Sequence, residues 1–148
     1  MEKFKGKKIA ILGDTATQLL VQSIKGFGYD EGVNLEIFEA EYDQIDHEIF
    51  DEASELYTTN PDFIIIVQSV QKLLNKYNKL SEIEKKTFAE DTLAHINELI
   101  TIISSRNKCK IIFFNFVEIN DNVFGNFANK LDFSFIYNLR KINLGLMD

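Results

Sequence analysis

Ile9-Ala10-Ile11-Leu12-Gly13-Asp14-Thr15 is a short apolar run that stops at Gly-Asp-Thr, and Thr17 to Phe27 follows with apolar residues at helical spacing. The pattern reads as a buried strand delivering a loop to a helix start. In an open α/β sheet the carboxyl end of the first strand is the usual ligand position. The free N–H groups of the next helix favour anionic or partly negative ligand atoms there. Asp14 and Thr15 are therefore the first candidates for chemistry.

Working outward, Leu19, Leu20, Ile24 and Phe27 form the stripe of the first helix, with Gly26 and Gly28 at its end. Val33 to Phe38 alternates apolar and polar residues, as expected of a strand near an edge. An acidic connection, residues 39–46, leads to a single helix expected over Asp46 to Tyr57, and Pro61 stops it. Asp62 to Val67 is almost wholly apolar and β-branched, the mark of a central strand covered on both faces. Val70 to Tyr77 reads as a short helix. Ser81 and Glu84 have the spacing of a capping box for a long helix running to Asn107. Lys110 to Phe116 is the fourth strand. Glu118 to Asn129 reads as loop, and Asp132 as the cap of a last helix with Phe135, Leu139, Ile142 and Leu146 on one face.

Strands alternating with helices imply right-handed crossovers and a Rossmann-like parallel sheet in the order 2-1-3-4, within a three-layer α/β/α sandwich. The apolar pattern runs almost to the chain end with no fifth strand, so the chain is expected to be a piece of a longer protein.

A length of 148 residues suits one domain with one core, without metal or disulfide staples. The net charge of −7, with no basic run beyond the entry at Lys5 to Lys8, argues against nucleic acid as partner. The single cysteine, Cys109, excludes an internal disulfide and reads as a small core or edge residue. No apolar run reaches the roughly 18 residues of a membrane span, and Met1 to Lys8 has no signal-peptide core. A cytoplasmic protein is expected.

Asp14 either caps the next helix through its side-chain oxygen or takes part in chemistry. Thr15 is either a nucleophile, which requires a nearby base, or a plain helix-start residue. The base is missing, because His47 and His95 both fall inside helices. They have no neighbouring metal ligands, and no metal site is expected. The strand ends Gln68-Ser69 and Asn115 could orient a ligand or donate to an oxyanion, or satisfy loop backbone groups. Gly13 stands alone, without the further glycines of a P-loop or dinucleotide fingerprint. The later strand ends also lack the second Asp and the Lys of a phospho-acceptor receiver domain.

Gly13-Asp14-Thr15 resembles the first block of the SGNH (GDSL-type) hydrolases, with Thr in place of the nucleophilic Ser. Tyr42-Asp43-Gln44, Glu48-Ile49, Asp51, Ser54-Glu55-Leu56-Tyr57 and Pro61-Asp62 resemble the N-terminal, SGNH-like domain of FkbH-like proteins. Asn115-Phe116 and Phe124-Gly125-Asn126 suit the same family. The resemblance implies a longer enzyme whose second module is a haloacid-dehalogenase-type (HAD, subfamily IIIC) phosphatase using aspartates and magnesium. Such proteins move a glyceryl unit from a phosphorylated glycerate donor to an acyl carrier protein. No cofactor is expected in this domain itself.

The third SGNH block would fall at Gln68-Ser69-Val70-Gln71 and lacks its Gly, Asn and Asp, and no D-x-x-H occurs. Losing a triad member costs about four to six orders of magnitude in rate. The expectation is thus an accessory domain that binds a ligand, carrier protein or the HAD module, with Thr15 and Asp14 as catalytic candidates and Gly13, Gln68, Ser69 and Asn115 as ligand-binding ones. The alternative is a GDSL-type esterase or acyltransferase using Thr15. A third reading is a plain interaction domain that docks through its acidic helices and the apolar face of the last helix.

Overall fold

The computed structural model describes residues 6–119 and 122–147. The elements run β1 (Lys7–Gly13), α1 (Gln18–Asp30), β2 (Leu35–Glu39), α2 (Ile45–Phe50), α3 (Glu55–Thr59) and β3 (Phe63–Val67). Then come α4 (Val70–Asn78), α5 (Glu82–Lys86), α6 (Phe88–Arg106), β4 (Lys110–Phe113), a 3-10 helix (Gly125–Lys130) and α7 (Phe135–Gly145). The chain divides into two compact units, one holding the chain up to Val67 together with Leu99–Phe114, the other Gln68–Glu98 and Asn115 onward. Lys5 of the basic entry, and two residues of the expected loop between Glu118 and Asn129, lie outside the described residues.

The first unit is an α/β fold whose four-stranded parallel sheet has the order β2-β1-β3-β4, flanked by helices. Successive side chains of a strand face opposite ways. Ala10, Leu12, Ile64 and Ile66 therefore pack with Ile45, Ile49, Leu56, Leu99 and Ile103, whereas Ile9, Ile11 and Ile65 pack with Val21. Each fully buried Ile or Leu contributes about 1.5–3 kcal/mol, which fixes the register Ile11↔Ile65 between the central strands. Cys109 packs half-buried against the first of these clusters, and burial pushes its thiol up.

Four expectations for this unit are corrected. The buried face of α1 is Val21 and Gly28 with Ile24 partly covered, and Leu19 and Phe27 are 78% and 73% exposed. Gly28 permits this rotation of the helix, since a Cβ there would lie 2.4 Å from Leu35 Cδ1. The helix expected over Asp46 to Tyr57 is two, because Asp51 turns extended and its carboxylate accepts the Ala53 N–H at 2.9 Å. Ser54 then opens α3, its hydroxyl donating to Glu48 O at 2.7 Å. The second strand begins at Leu35 rather than Val33, whose N–H donates instead to Gly28 O at 2.7 Å. The fourth strand ends at Phe113, short of Phe116.

In the second unit the Ser81–Glu84 capping box forms, but it caps the short α5, and α6 starts afresh after Thr87. Tyr77 packs against Phe88 and Phe135 at ring-centroid distances of 5.5 and 5.3 Å, and its hydroxyl donates to Phe133 O. Ser134, not Asp132, is the N-cap of α7, accepting from Tyr137 N–H at 3.2 Å. Asp132 instead offers its carbonyl to Asn138 Nδ2 at 2.9 Å. Phe135, Leu139 and Ile142 are buried, so this face of the last helix is covered within the chain itself and is not a free docking surface. Among the described residues no helix is long and apolar enough to cross a membrane.

Candidate functional site

β1 ends in register with β3, Gly13 opposite Val67, and the next N–H, that of Asp14, donates to Val67 O at 3.2 Å. The chain then doubles back so tightly that a Cβ on Gly13 would lie 2.5 Å from Thr17 Cγ2 and 3.2 Å from the Thr15 carbonyl oxygen. Glycine is required there by space. Gly13 O in turn accepts the N–H of Asp43, a left-handed residue with φ of 62°. One loop therefore carries Gly13, Asp14 and Thr15, and the connection after β2 braces it.

Asp14 does not occupy the cap of α1. The N-cap is Thr17, and even its hydroxyl does not cap the helix. Thr17 is 5% exposed, and its Oγ1 donates to Glu39 Oε1 at 2.5 Å. Glu39 closes β2 in phase with Leu35 and Ile37, which pack on the core beneath α1. A carboxylate in phase with two inward side chains marks Glu39 in the sequence, but nothing there names Thr17 as its partner. Asp14 is half-buried and has a partner of its own. Thr15 is half-buried too, and among the described residues its hydroxyl has no hydrogen-bond partner, so no base is aligned on it.

Gln68, Ser69 and Asn115 belong to the second unit. Ser69 is the N-cap residue of α4, but its hydroxyl does not cap the helix; its carbonyl accepts from Leu73 N–H at 3.1 Å. Gln68, half-buried, directly follows β3. Asn115 is exposed, and Phe116 after it is held by the Asn143 amide, which accepts from its N–H at 2.8 Å and donates to its carbonyl at 2.7 Å.

His47 is exposed on α2, and His95 on α6 lies 3.9 Å from Glu98. Among the described residues no group of three His, Cys, Asp or Glu side chains is placed to hold a metal ion.

The family model for the FkbH N-terminal domain matches residues 8–148. The chain belongs to that family. A solved structure, the N-terminal part of the protein BF1531 from Bacteroides fragilis, containing a phosphatase domain and complexed with Mg, matches with a TM-score of 0.88 at 38% identity. The match covers 97% of this chain and 37% of that one, so this FkbH N-terminal domain spans little more than a third of its solved relative. No curated protein matches the chain.

Several of the family-like residues have structural work in this FkbH domain. Glu48 accepts from Leu56 N–H at 3.2 Å through Oε2, and Tyr57 donates to Ile49 O at 2.6 Å. Together with Ser54 they build the α2–α3 corner. Asp62 joins the amino ends of β1, β3 and β4 through backbone and carboxylate hydrogen bonds. Asp43 reaches the carboxyl-edge loop by a hydrogen bond, through Gly13.

Proposed function

We propose that this domain is a non-hydrolytic, SGNH-like accessory module serving a HAD-type phosphatase module of a longer FkbH-like chain, with the Gly13-Asp14-Thr15 loop as its ligand-facing edge. The observation that carries this reading is the division of roles on that loop. The Thr17 hydroxyl is buried and locked to Glu39, whereas the Thr15 hydroxyl has no base among the described residues. A threonine without a base is a poor nucleophile. Asp14 and Thr15 then serve as polar contacts to a ligand, a carrier protein or the phosphatase module. The magnesium chemistry belongs to the phosphatase module, and an acyl carrier protein is the natural macromolecular partner of the glyceryl transfer that the family implies. A cytoplasmic setting suits that chemistry.

The test is fluorophosphonate labelling of the purified chain, read by mass spectrometry, alongside p-nitrophenyl acetate turnover. The expected result is no adduct at Thr15 and turnover unchanged by Thr15→Ala. An adduct at Thr15, or ester hydrolysis abolished by Thr15→Ala, would overturn the reading.

A further inference from the structure

The second unit holds a concavity of about 240 Å3 far along the chain from the β1 loop, and it includes part of the Phe124-Gly125-Asn126 stretch that no role above absorbs. Ala128 and Ile136, both buried, give it an apolar floor, and Glu118, Asn126, Asn129 and Arg140 give it polar walls. The Arg140 guanidinium donates from Nε and Nη2 to the two carboxylate oxygens of Glu118, each at 2.9 Å, and from Nη1 to Asn129 Oδ1. This fork-to-fork pairing fixes the guanidinium plane and cancels its charge. The loop is fixed as well, by Gly125 at φ of 52° and by Phe124 edge-on to Phe133 at 5.4 Å.

A guanidinium has five N–H groups, and three are used here. Among the described residues the Asn129 amide keeps its N–H donors, Asn126 keeps its whole amide, and each Glu118 oxygen keeps a lone pair. The walls therefore mix donors and acceptors without net charge. A phosphate or carboxylate would have to displace Glu118, and an ammonium would meet Arg140. A hydroxyl group can accept from an amide or guanidinium while donating to the carboxylate. The volume lies below the roughly 300–1,000 Å3 of sites for drug-sized ligands.

We propose that this groove binds an uncharged, polyhydroxylated molecule of monosaccharide size, its C–H face on Ala128 and Ile136 and its hydroxyls on Glu118, Asn126 and Arg140. The experiment records amide 1H–15N spectra of the 148-residue chain titrated in turn with D-glucose, D-ribose and xylitol, with phosphate and acetate as charged comparators. At least one polyol should give saturable shifts clustered on the groove residues, and Asn126→Ala, an exposed position, should weaken binding about tenfold, one hydrogen bond's worth. No saturable shift with any of the three polyols overturns the proposal. So does equal binding by Asn126→Ala, or stronger shifts of the same residues by phosphate.

Discussion

Asp62 ties the start of the sheet together. Its N–H donates to Lys8 O at 2.8 Å, its Oδ2 accepts from Lys8 N–H at 2.9 Å, and its carbonyl accepts from Lys110 N–H at 2.9 Å. The Lys8 N–H, and then the charge of Lys7 3.7 Å away, hold the carboxyl below the usual aspartate range. A carboxyl depressed in the folded state stabilises the fold above its unfolded pKa, and that contribution disappears as pH falls through the folded value. Melting temperature measured between about pH 6 and pH 3 should therefore drop less steeply on the acid side for Asp62→Asn than for the unaltered protein. Identical acid limbs would show that the contact contributes nothing to the pH dependence. At this scale the sequence was half legible. The Gly13-Asp14-Thr15 loop could be placed because strand, glycine and helix follow one another directly. The Thr17–Glu39 pair could not, because its partners are 22 residues apart and meet only once β2 lies beside β1.

Elements were easiest to read where one physical signal dominated. The strand order 2-1-3-4 followed from apolar, β-branched runs separated by helical spacing, and the structure has it. Boundaries that depend on long-range contacts were not readable. The break between α2 and α3, turned locally at Asp51, is also braced by Arg106, distant in sequence, whose Nη1 donates to Ile49 O at 2.8 Å and Phe50 O at 3.0 Å. Those are carbonyls that a helix end leaves without intrahelical partners. The same guanidinium lies 5.3 Å from the Tyr57 ring centroid and donates from Nη2 to Glu52 Oε1 at 3.2 Å. A lysine has the charge but not the planar fork or the stacking face. Arg106→Lys should lower unfolding free energy by about 1–2 kcal/mol in urea denaturation, from lost charge-assisted hydrogen bonds. A change within about 0.3 kcal/mol, ordinary for a surface substitution, would remove Arg106 from the account of the corner.

At the scale of the whole molecule, each unit has a buried interior of its own. The first has an apolar core on both faces of its sheet. The second buries Phe88, Ile96, Phe135, Leu139 and Ile142 and adds buried polar hubs, among them Asn138. It is 1% exposed; its Oδ1 accepts from Ala89 N–H at 3.1 Å, and its Nδ2 donates to Asp132 O and Ser134 O, each at 2.9 Å. One amide thus joins the first turn of α6 to the turn before α7. Beside it Ser134 donates its hydroxyl to Ala128 O while capping α7. Removing the amide leaves the fully buried Ala89 N–H without a partner and the Asp132 carbonyl one hydrogen bond short, while Ser134 O keeps the Asn138 N–H at 3.2 Å. An orphaned buried group costs about 1–3 kcal/mol, so Asn138→Ala should destabilise by about 2–3 kcal/mol. Its signature should be local, because the sheet core has no share in these bonds. In native-state hydrogen exchange, amides of α6's first turns, the 3-10 helix and α7 should lose protection, while those of β1 and β3 keep theirs. Equal loss throughout would mean that the second unit has no stability of its own and unfolds only with the sheet.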